Sequence, residues 1–279
     1  PGGARLALQI VVNYEEGSER SYPMGDATNE EFLHEFPGVL NGERDLDVES
    51  VYEYGSRAGI WRLFRVLDSA GINTTFFATA VALERNPEVA RRIGERGDEV
   101  ASHGYRWLNH FELDRDQERE WIRRSVESIT ESTGQRPVGW YCRQMSIHTR
   151  DLLVEHGGFV YDSDAYNDDL PYWTRVGDQP HLVVPYTLLI NDAHFMLAPS
   201  FSSPNDFFDY GRATIDRLCN DGDDAARMMS IGLHARIAGQ PARADAVARL
   251  IDYAASRPDV WIARRVDIAE SFAAQIAPS

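Results

Sequence analysis

The 279-residue sequence contains only two cysteines, Cys142 and Cys219, and no apolar run that approaches the roughly 18 residues of a membrane span. Two cysteines cannot build a disulfide framework, which fits a protein of a reducing compartment. The first residues also lack a basic region followed by a long apolar segment, so no signal peptide is expected. We therefore expect a cytoplasmic protein without a membrane partner.

Positive charge is also scarce, because 44 acidic residues outnumber 28 basic ones and the formal net charge is −16. Such a chain repels phosphate backbones, so nucleic acid is not an expected partner. No G-x-G-x-x-G follows a predicted strand, and no G-x-S-x-G is present. These two absences disfavour a dinucleotide-binding fold and a serine nucleophile.

The sequence does contain a series of predicted strands that end in ionisable residues. Leu6–Val12 is a short apolar run bounded by a turn, which suits a strand covered on both faces. Taken singly, each group is more simply a solvated or hydrogen-bonded surface residue. In a parallel α/β fold, however, these strand ends share one face, where ligands and catalytic groups collect. The groups are Glu15-Glu16, His103, Asp162-Ser163-Asp164 and His234.

The order of elements predicts an α/β fold. A strand followed by a helix recurs about seven times, which indicates parallel strands joined by crossover helices. The sheet could close as a barrel or stay open and doubly wound, and we favour the barrel. No repeat or linker is found, so we expect one domain over residues 1–279. An irregular loop at 18–54 should wrap around the mouth of the site or pack against another subunit, and the next helix should start near Arg57.

The residue types at the strand ends point to hydrolysis by activated water. Carboxylates and imidazoles allow one group to remove a proton while another donates one to the leaving nitrogen or oxygen. Cys142 lies beside Arg143, but no histidine is close to it in the sequence. We therefore interpret Cys142 as structural or incidental.

Six stretches of the chain carry a family resemblance. They are NYEEG at Asn13–Gly17, SVYEYGSRAG at Ser50–Gly59, LERNPEV at Leu83–Val89, ASHGYRW at Ala101–Trp107, GGFVYDSDAYNDDLPYW at Gly157–Trp173 and MMSIGLHARIAGQPARA at Met228–Ala244. Their order resembles the polysaccharide deacetylase (NodB-homology, carbohydrate esterase 4) superfamily. Within it, the match is to the branch of metal-independent allantoinases, with cyclic imide hydrolases as relatives. The resemblance implies a distorted (β/α) barrel with about seven parallel strands, hydrolysis of a carbon–nitrogen bond other than a peptide bond, and commonly a homotetramer.

The sequence departs from the metal-dependent members of this superfamily. Those deacetylases use an Asp-Asp pair, with the first as base and the second as metal ligand, and two histidines four residues apart. Here the pair is Glu15-Glu16, and the position four residues after His103 is Trp107. Catalytic zinc normally needs three protein ligands, and only Glu16 and His103 would be in place, although the cluster at 162–164 could add one. We expect no tightly bound metal and no other cofactor.

The resemblance also suggests catalytic roles. Glu15 or Glu16 would activate water, and the sequence leaves open which of them does so. His234 matches the late catalytic histidine of the family and would protonate the leaving nitrogen or stabilise the oxyanion. His103 would orient the base or bind a substrate carbonyl. Asp162 and Asp164 could fix the tautomer of an imidazole.

Other departures concern the small-molecule substrate. The allantoinase branch would have an acidic residue at Leu189, an arginine at His194, and Tyr-Thr-Gly where Tyr141-Cys142-Arg143 stands. Arg143 adds a bidentate donor, which suggests a ring other than allantoin, either more apolar or bearing a carboxylate. The residues expected to contact the substrate are Trp107, Tyr141, Arg143, Asp162, Asp164, Tyr186 and Asn191.

Two other functions compete with a hydrolase of cyclic amides such as allantoin, hydantoin or an imide. A metal-dependent N-deacetylase of a sugar or small N-acyl compound would need a metal, and Trp107 argues against that. A catalytically inactive barrel that only binds a ligand has no need for the acid–base groups Glu15, Glu16, His103 and His234.

Overall fold

The sheet is built around its first strand, β1, Leu6–Tyr14. The computed structural model describes residues 1–36, 38–40, 42–198, 200–221 and 226–278. The later strands are β2 Thr75–Ala78, β3 Glu99–Ser102, β4 Gly139–Trp140, β5 Tyr161–Asp162, β6 Tyr172–Val176, β7 Gln179–Val183, β8 Arg227–His234 and β9 Val260–Ile262.

Strand β1 is buried along nearly its whole length, because other strands pair with both of its edges and helices cover the sheet. One edge of β1 pairs in parallel with β8 from Leu6 to Asn13. The other edge pairs first with β9 and then, from Val11 onward, with β2. As a result, the carboxyl ends of β1, β2 and β8 lie side by side.

The strand order is β6-β7-β5-β4-β3-β2-β1-β8, with β9 beside β1. The described pairs are parallel, except for the β6–β7 hairpin. The strands form a curled sheet, the distorted (β/α) barrel that the sequence predicted. A further parallel bridge joins Asn191 to Gly232 of β8, so the segment after β7 also reaches the mouth of the barrel.

The helices pack against this sheet through apolar faces. Helix α2 buries Ile60, Leu63, Phe64 and Leu67 and ends at Gly71, whose φ of 64° gives the left-handed cap. The helices are α1 Leu46–Tyr54, α2 Ile60–Ala70, α3 Ala80–Arg85, α4 Pro87–Arg96, α5 Arg115–Thr133, α6 Thr149–His156, α7 Pro204–Asn220, α8 Pro241–Ala255 and α9 Arg265–Gln275. Among the described residues, none of the helices has the length and apolar character that a membrane crossing requires.

The loop predicted at 18–54 is shorter in the structure. Helix α1 begins at Leu46, where the Asp45 carboxylate accepts the N–H of Val48, and continues through a π-helical turn at Gly55–Gly59 into α2. The sequence missed this start because α1 has only a weak apolar stripe. Residues 37 and 41 of the predicted loop lie outside the described residues.

Two further elements were not predicted. Strand β6 is a partly exposed edge strand of a hairpin, so it lacks the continuous apolar run by which the buried strands were found. Helix α3 follows β2 with only Thr79 between them, which left no turn signal to separate the two elements.

Candidate active site

The carboxyl ends of β1, β3 and β8 bring three of the predicted residues together. Glu15 follows β1, His103 follows β3, and His234 is the last residue of β8. The Glu15 Oε1 atom lies 3.1 Å from His103 Nε2 and 3.6 Å from His234 Nε2. All three residues are at most 5% exposed. The structure therefore forms a carboxylate flanked by two imidazoles at the mouth of the barrel.

His234 is held in place by Asp192. The Asp192 Oδ1 atom lies 2.6 Å from His234 Nδ1, and Oδ2 accepts the backbone N–H groups of His234 and Ala238 at 2.7 and 2.9 Å. Because Asp192 acts as an acceptor, Nδ1 carries a proton and Nε2 faces Glu15. Burial lowers the pKa of His234, but the negative charges of Asp192 and Glu15 outweigh burial and raise it above its ordinary value. This arrangement favours the imidazolium.

The orientation of His103 is fixed by a backbone carbonyl. Its Nδ1 lies 3.2 Å from the carbonyl oxygen of Tyr141, which can only accept, so Nδ1 donates. The contact between Nε2 and Glu15 Oε1 then requires one proton shared between the two groups. The pair can take a proton from water or return one without any movement of the backbone.

Arg236 supplies a buried positive charge behind Glu15. Its Nη2 donates to Glu15 Oε2 at 3.0 Å, and its guanidinium lies over the rings of Tyr52 and Trp107 at 4.4 and 5.1 Å. Burial raises the pKa of Glu15, but the charges of His234 and Arg236 outweigh burial and hold it well below its usual range. Glu15 is therefore ionised at neutral pH.

Glu16 does not line the cavity that lies beside Glu15, which corrects the expectation that either glutamate could activate water. Its Oε1 accepts the backbone N–H and Nη1 of Arg236 at 3.1 and 3.2 Å, and its Oε2 accepts the Glu15 N–H at 3.2 Å. A Cβ atom at Gly55 would collide with this carboxyl group. Glu16 thus holds Arg236 from behind, and Glu15 is the glutamate that lines the cavity.

The cavity beside Glu15 has a volume of about 540 Å³, within the range of small-molecule sites. Much of its wall is apolar or aromatic, and it contains the predicted residues Trp107, Tyr141, Tyr186 and Asn191. Other wall residues are Asn13, Phe32, Leu33, Tyr166, Leu188, His194 and Leu197.

Arg143 also lines the cavity, but its bidentate face is occupied. Its Nη1 and Nη2 donate to the buried Glu30 carboxylate at 2.9 and 3.2 Å, and the guanidinium lies 4.1 Å from the centre of the Trp107 ring. That face is not open to a substrate carboxylate, contrary to the expectation. Arg143 instead fixes the segment around Glu30 as part of the cavity wall.

Asp162 and Asp164 lie outside the cavity, which corrects their predicted role in substrate binding. Asp162 accepts Arg150 Nε at 2.9 Å and lies 2.6 Å from His181 Nε2, so it fixes an imidazole that is not part of the site. Asp164 accepts the backbone N–H of Cys142 at 3.1 Å. Burial raises the pKa of the Asp164 carboxyl and of the Cys142 thiol well above their ordinary values. A protonated, buried thiol fits the structural interpretation of Cys142.

The donor set at this mouth does not fit a zinc centre. The Glu16 carboxylate is turned away from the cavity and bound by Arg236, and Trp107 presents a ring that packs on two guanidinium groups. Within the described ranges, no group of three or more His, Cys, Asp or Glu side chains is arranged to hold a metal ion.

Sequence reasoning gave no role to two residues of this site. Asp192 is adjacent to the predicted Asn191, and Arg236 is two residues beyond the predicted His234. Arg236 lies inside the stretch Met228–Ala244 that carries the family resemblance, and Asp192 lies between Leu189 and His194, where the sequence departs from the allantoinase branch. An ionisable residue within two positions of a predicted site residue was the available signal.

Comparison with known proteins identifies the family of this chain. The polysaccharide deacetylase family model matches residues 44–154. A Schizosaccharomyces pombe protein named "Putative polysaccharide deacetylase" is 37% identical over an alignment of 295 positions, gaps included, which covers 99% of this chain and 92% of that protein. The chain belongs to the polysaccharide deacetylase family. The predicted resemblance is thus confirmed, and with it the coarse function of a carbon–nitrogen bond hydrolase.

Two solved structures show which members of the family this chain is similar to. The crystal structure of PuuE allantoinase is 46% identical with a TM-score of 0.95, covering 100% of this chain and 94% of that chain. A structure described as a probable polysaccharide deacetylase from Pseudomonas aeruginosa PAO1 is 47% identical with a TM-score of 0.94, covering 99% and 93% of the two chains. Both confirm the predicted barrel, and the first confirms the resemblance to the allantoinase branch.

Proposed function

We propose that this protein hydrolyses a cyclic amide, opening the ring with activated water and without a tightly bound metal. The observation that carries the proposal is the Glu15 carboxylate, which contacts the imidazoles of His103 and His234 at the edge of a small-molecule cavity. The likeness to PuuE allantoinase supports a ring amide over an open-chain one.

The proposed reaction uses the hydrogen bonds described above. The Glu15–His103 pair takes a proton from water as the water oxygen attacks the ring carbonyl carbon. The carbonyl oxygen becomes an oxyanion, and the C–N bond breaks when this oxyanion collapses. The His234 imidazolium, held by Asp192, gives its Nε2 proton to the leaving nitrogen. The product is an open chain with a carboxyl group and an N–H group.

The cavity favours a neutral ring with apolar substituents. The bidentate face of Arg143 is bound to Glu30, and the walls include Phe32, Trp107 and Leu188. A substrate carboxylate would therefore have to displace Glu30 from a buried ion pair, which costs free energy. Imides and hydantoins with hydrocarbon substituents are the expected substrates.

The test is turnover of allantoin, hydantoin, succinimide, a phenyl-substituted hydantoin and an N-acetyl sugar by protein stripped of metal with a chelator and checked by elemental analysis. We expect ring opening without metal, fastest for the phenyl-substituted ring. Activity that returns only with added zinc or cobalt, or that is confined to the N-acetyl sugar, would contradict the proposal in favour of a deacetylase. Absence of turnover on every compound would favour a binding-only barrel.

The expected homotetramer and cytoplasmic location stay predictions. Light scattering of the purified protein and microscopy of a tagged chain in its own cell would test them. A monomer would contradict the first prediction, and fluorescence outside the cytoplasm would contradict the second.

A further inference from the structure

We propose that the Tyr186 hydroxyl is a preorganised donor to the substrate carbonyl oxygen and to the oxyanion that forms from it. Tyr186 was expected to contact the substrate, but its hydrogen bonds assign it this more specific role. The inference rests on the proposed function, because it concerns the oxyanion of that reaction.

The first step is the direction of two amide side chains. The Asn13 Nδ2 atom donates to the carbonyl oxygen of Leu233 at 3.2 Å, so this end of the amide is the NH₂ group. The Asn191 Oδ1 atom accepts the N–H of Ala193 at 2.9 Å, so its other end is also NH₂. The backbone thus fixes both amides in one orientation.

The second step concerns the hydrogen bonds at the Tyr186 hydroxyl oxygen. Asn13 Nδ2 and Asn191 Nδ2 lie 3.2 and 3.1 Å from the Tyr186 oxygen. Both of these bonds are accepted by the oxygen, so neither uses the O–H proton. Two donors on one oxygen also polarise its O–H bond and make it a stronger donor.

The third step is the placement of the ring. Tyr186 is 3% exposed and packs against Phe77 and Tyr141, with ring centroids 5.5 and 5.1 Å apart. A Cβ atom at Gly232 would fall inside contact distance of the Tyr186 oxygen and of Asn191 Nδ2. The absence of a side chain on β8 therefore creates the space in which the hydroxyl sits, in the cavity that Glu15 and His234 also line.

Burial keeps the hydroxyl protonated, because it raises the pKa of Tyr186 above its ordinary value. A neutral donor in a site of low dielectric constant stabilises developing negative charge more than it would in water. Asn13, Asn191 and Tyr186 thus form an oxyanion donor without a backbone amide.

The test compares Tyr186→Phe with Tyr161→Phe. Tyr161 is also fully buried, and its hydroxyl donates to Glu99 at 2.7 Å outside the cavity, so it controls for the loss of a buried hydroxyl. With the best ring amide of the panel, we expect Tyr186→Phe to lower kcat by about 10²–10³-fold with KM changed by less than about threefold. Tyr161→Phe should change melting temperature rather than kcat.

A second readout separates oxyanion stabilisation from structural damage. A thiocarbonyl analogue of the same ring accepts weaker hydrogen bonds, so the ratio of kcat for the oxo and thio substrates should fall in Tyr186→Phe and stay unchanged in Tyr161→Phe. A Tyr186→Phe variant with wild-type kcat, with only KM raised, or with an unchanged ratio would overturn the inference alone. A wild-type protein that opens no ring would overturn the proposed function and this inference together.

Discussion

The described part of the chain contains two buried Asp–His pairs with the same separation, although Nδ1 faces the aspartate in His234 and Nε2 does so in His181. In one, Asp192 lies 2.6 Å from His234, and in the other, Asp162 lies 2.6 Å from His181. In each pair, the aspartate and histidine are at most 6% exposed. Distance and burial alone do not distinguish the pair that we propose as catalytic from the other one.

The difference lies in what surrounds each pair. Asp162 also binds Arg150, and its strand β5 pairs with β7, which carries His181, so this pair joins two strands. Asp192 accepts two backbone N–H groups and one imidazole, and the second nitrogen of His234 faces Glu15 and the cavity. We therefore assign the proposed chemistry to the pair in which the remaining imidazole nitrogen faces a second ionisable group in a cavity.

The sharpest test of this comparison is replacement of each histidine by glutamine. His234→Gln removes the proton donor, so kcat should fall by about 10²–10⁴-fold while the fold is retained. His181→Gln should keep kcat within about twofold and lower the melting temperature. A His234→Gln variant with kcat within about twofold of the parent would remove His234 from the mechanism.

Replacement of the arginine near each pair should also lower stability by different amounts. Arg236→Met leaves Glu15 and Glu16 buried without their cation, so the free energy of unfolding should fall by about 3–5 kcal/mol. Arg150→Met touches a partly exposed arginine and should cost less, which urea titration of both variants measures.

Adding Glu16→Gln to Arg236→Met removes one of the two stranded charges and provides the control for the Arg236 prediction. The double variant should regain stability relative to Arg236→Met and still lack activity. Equal stability of the single and double variants would show that Glu16 and Arg236 are not coupled.

The pH dependence of kcat should distinguish Asp192 from Asp162. If His234 acts as the imidazolium, kcat should fall as pH rises through its raised folded pKa. Asp192→Asn removes a cause of that rise, so this fall should move to lower pH, whereas Asp162→Asn should leave it in place. Stability follows the same sign: the contribution of His234 is full below its unfolded pKa of about 6.5 and is lost as pH rises through the folded value. Rate profiles and unfolding curves from pH 5 to 9 would measure both.

The smallest effect is expected at Cys142, because its thiol is not part of the candidate site. Its protonated, buried thiol contacts Asp164 at 3.5 Å and no site histidine. Cys142→Ala should lower the melting temperature by a few degrees and leave kcat within about twofold. Loss of activity on alkylation of the intact protein at Cys142 would contradict this expectation.

Strand ends could be predicted from the sequence because burial leaves a local signal. The apolar run predicted at Leu6–Val12 was found with bounds close to those of the observed strand β1. The same reasoning placed Glu15, His103 and His234 on one rim, since parallel strands share their carboxyl ends.

Partners could not be predicted in this way, because they are set by contacts between distant parts of the chain. Arg236 is 221 residues from Glu15, and nothing local indicates that its guanidinium reaches both glutamates. The sequence also could not tell which of Glu15 and Glu16 faces inward, since adjacent residues at a strand end point to opposite sides. Nothing local linked Asp192 rather than Asp162 to His234, because only the fold places Asp192 beside it.

The π-helical turn at Gly55–Gly59 sets the rotation of α1, which carries Tyr52, relative to α2. A π turn holds one residue more than an α turn, so the wider turn keeps the two halves in their relative rotation despite the extra residue, whereas a further inserted residue would rotate one half against the other by about 100°. Tyr52, under the Arg236 guanidinium, and the α2 face that packs on the sheet could not then both keep their contacts. Among homologous chains, this stretch should therefore accept substitutions on its exposed face and tolerate almost no further insertions, whereas loss of the one extra residue would leave a regular helix.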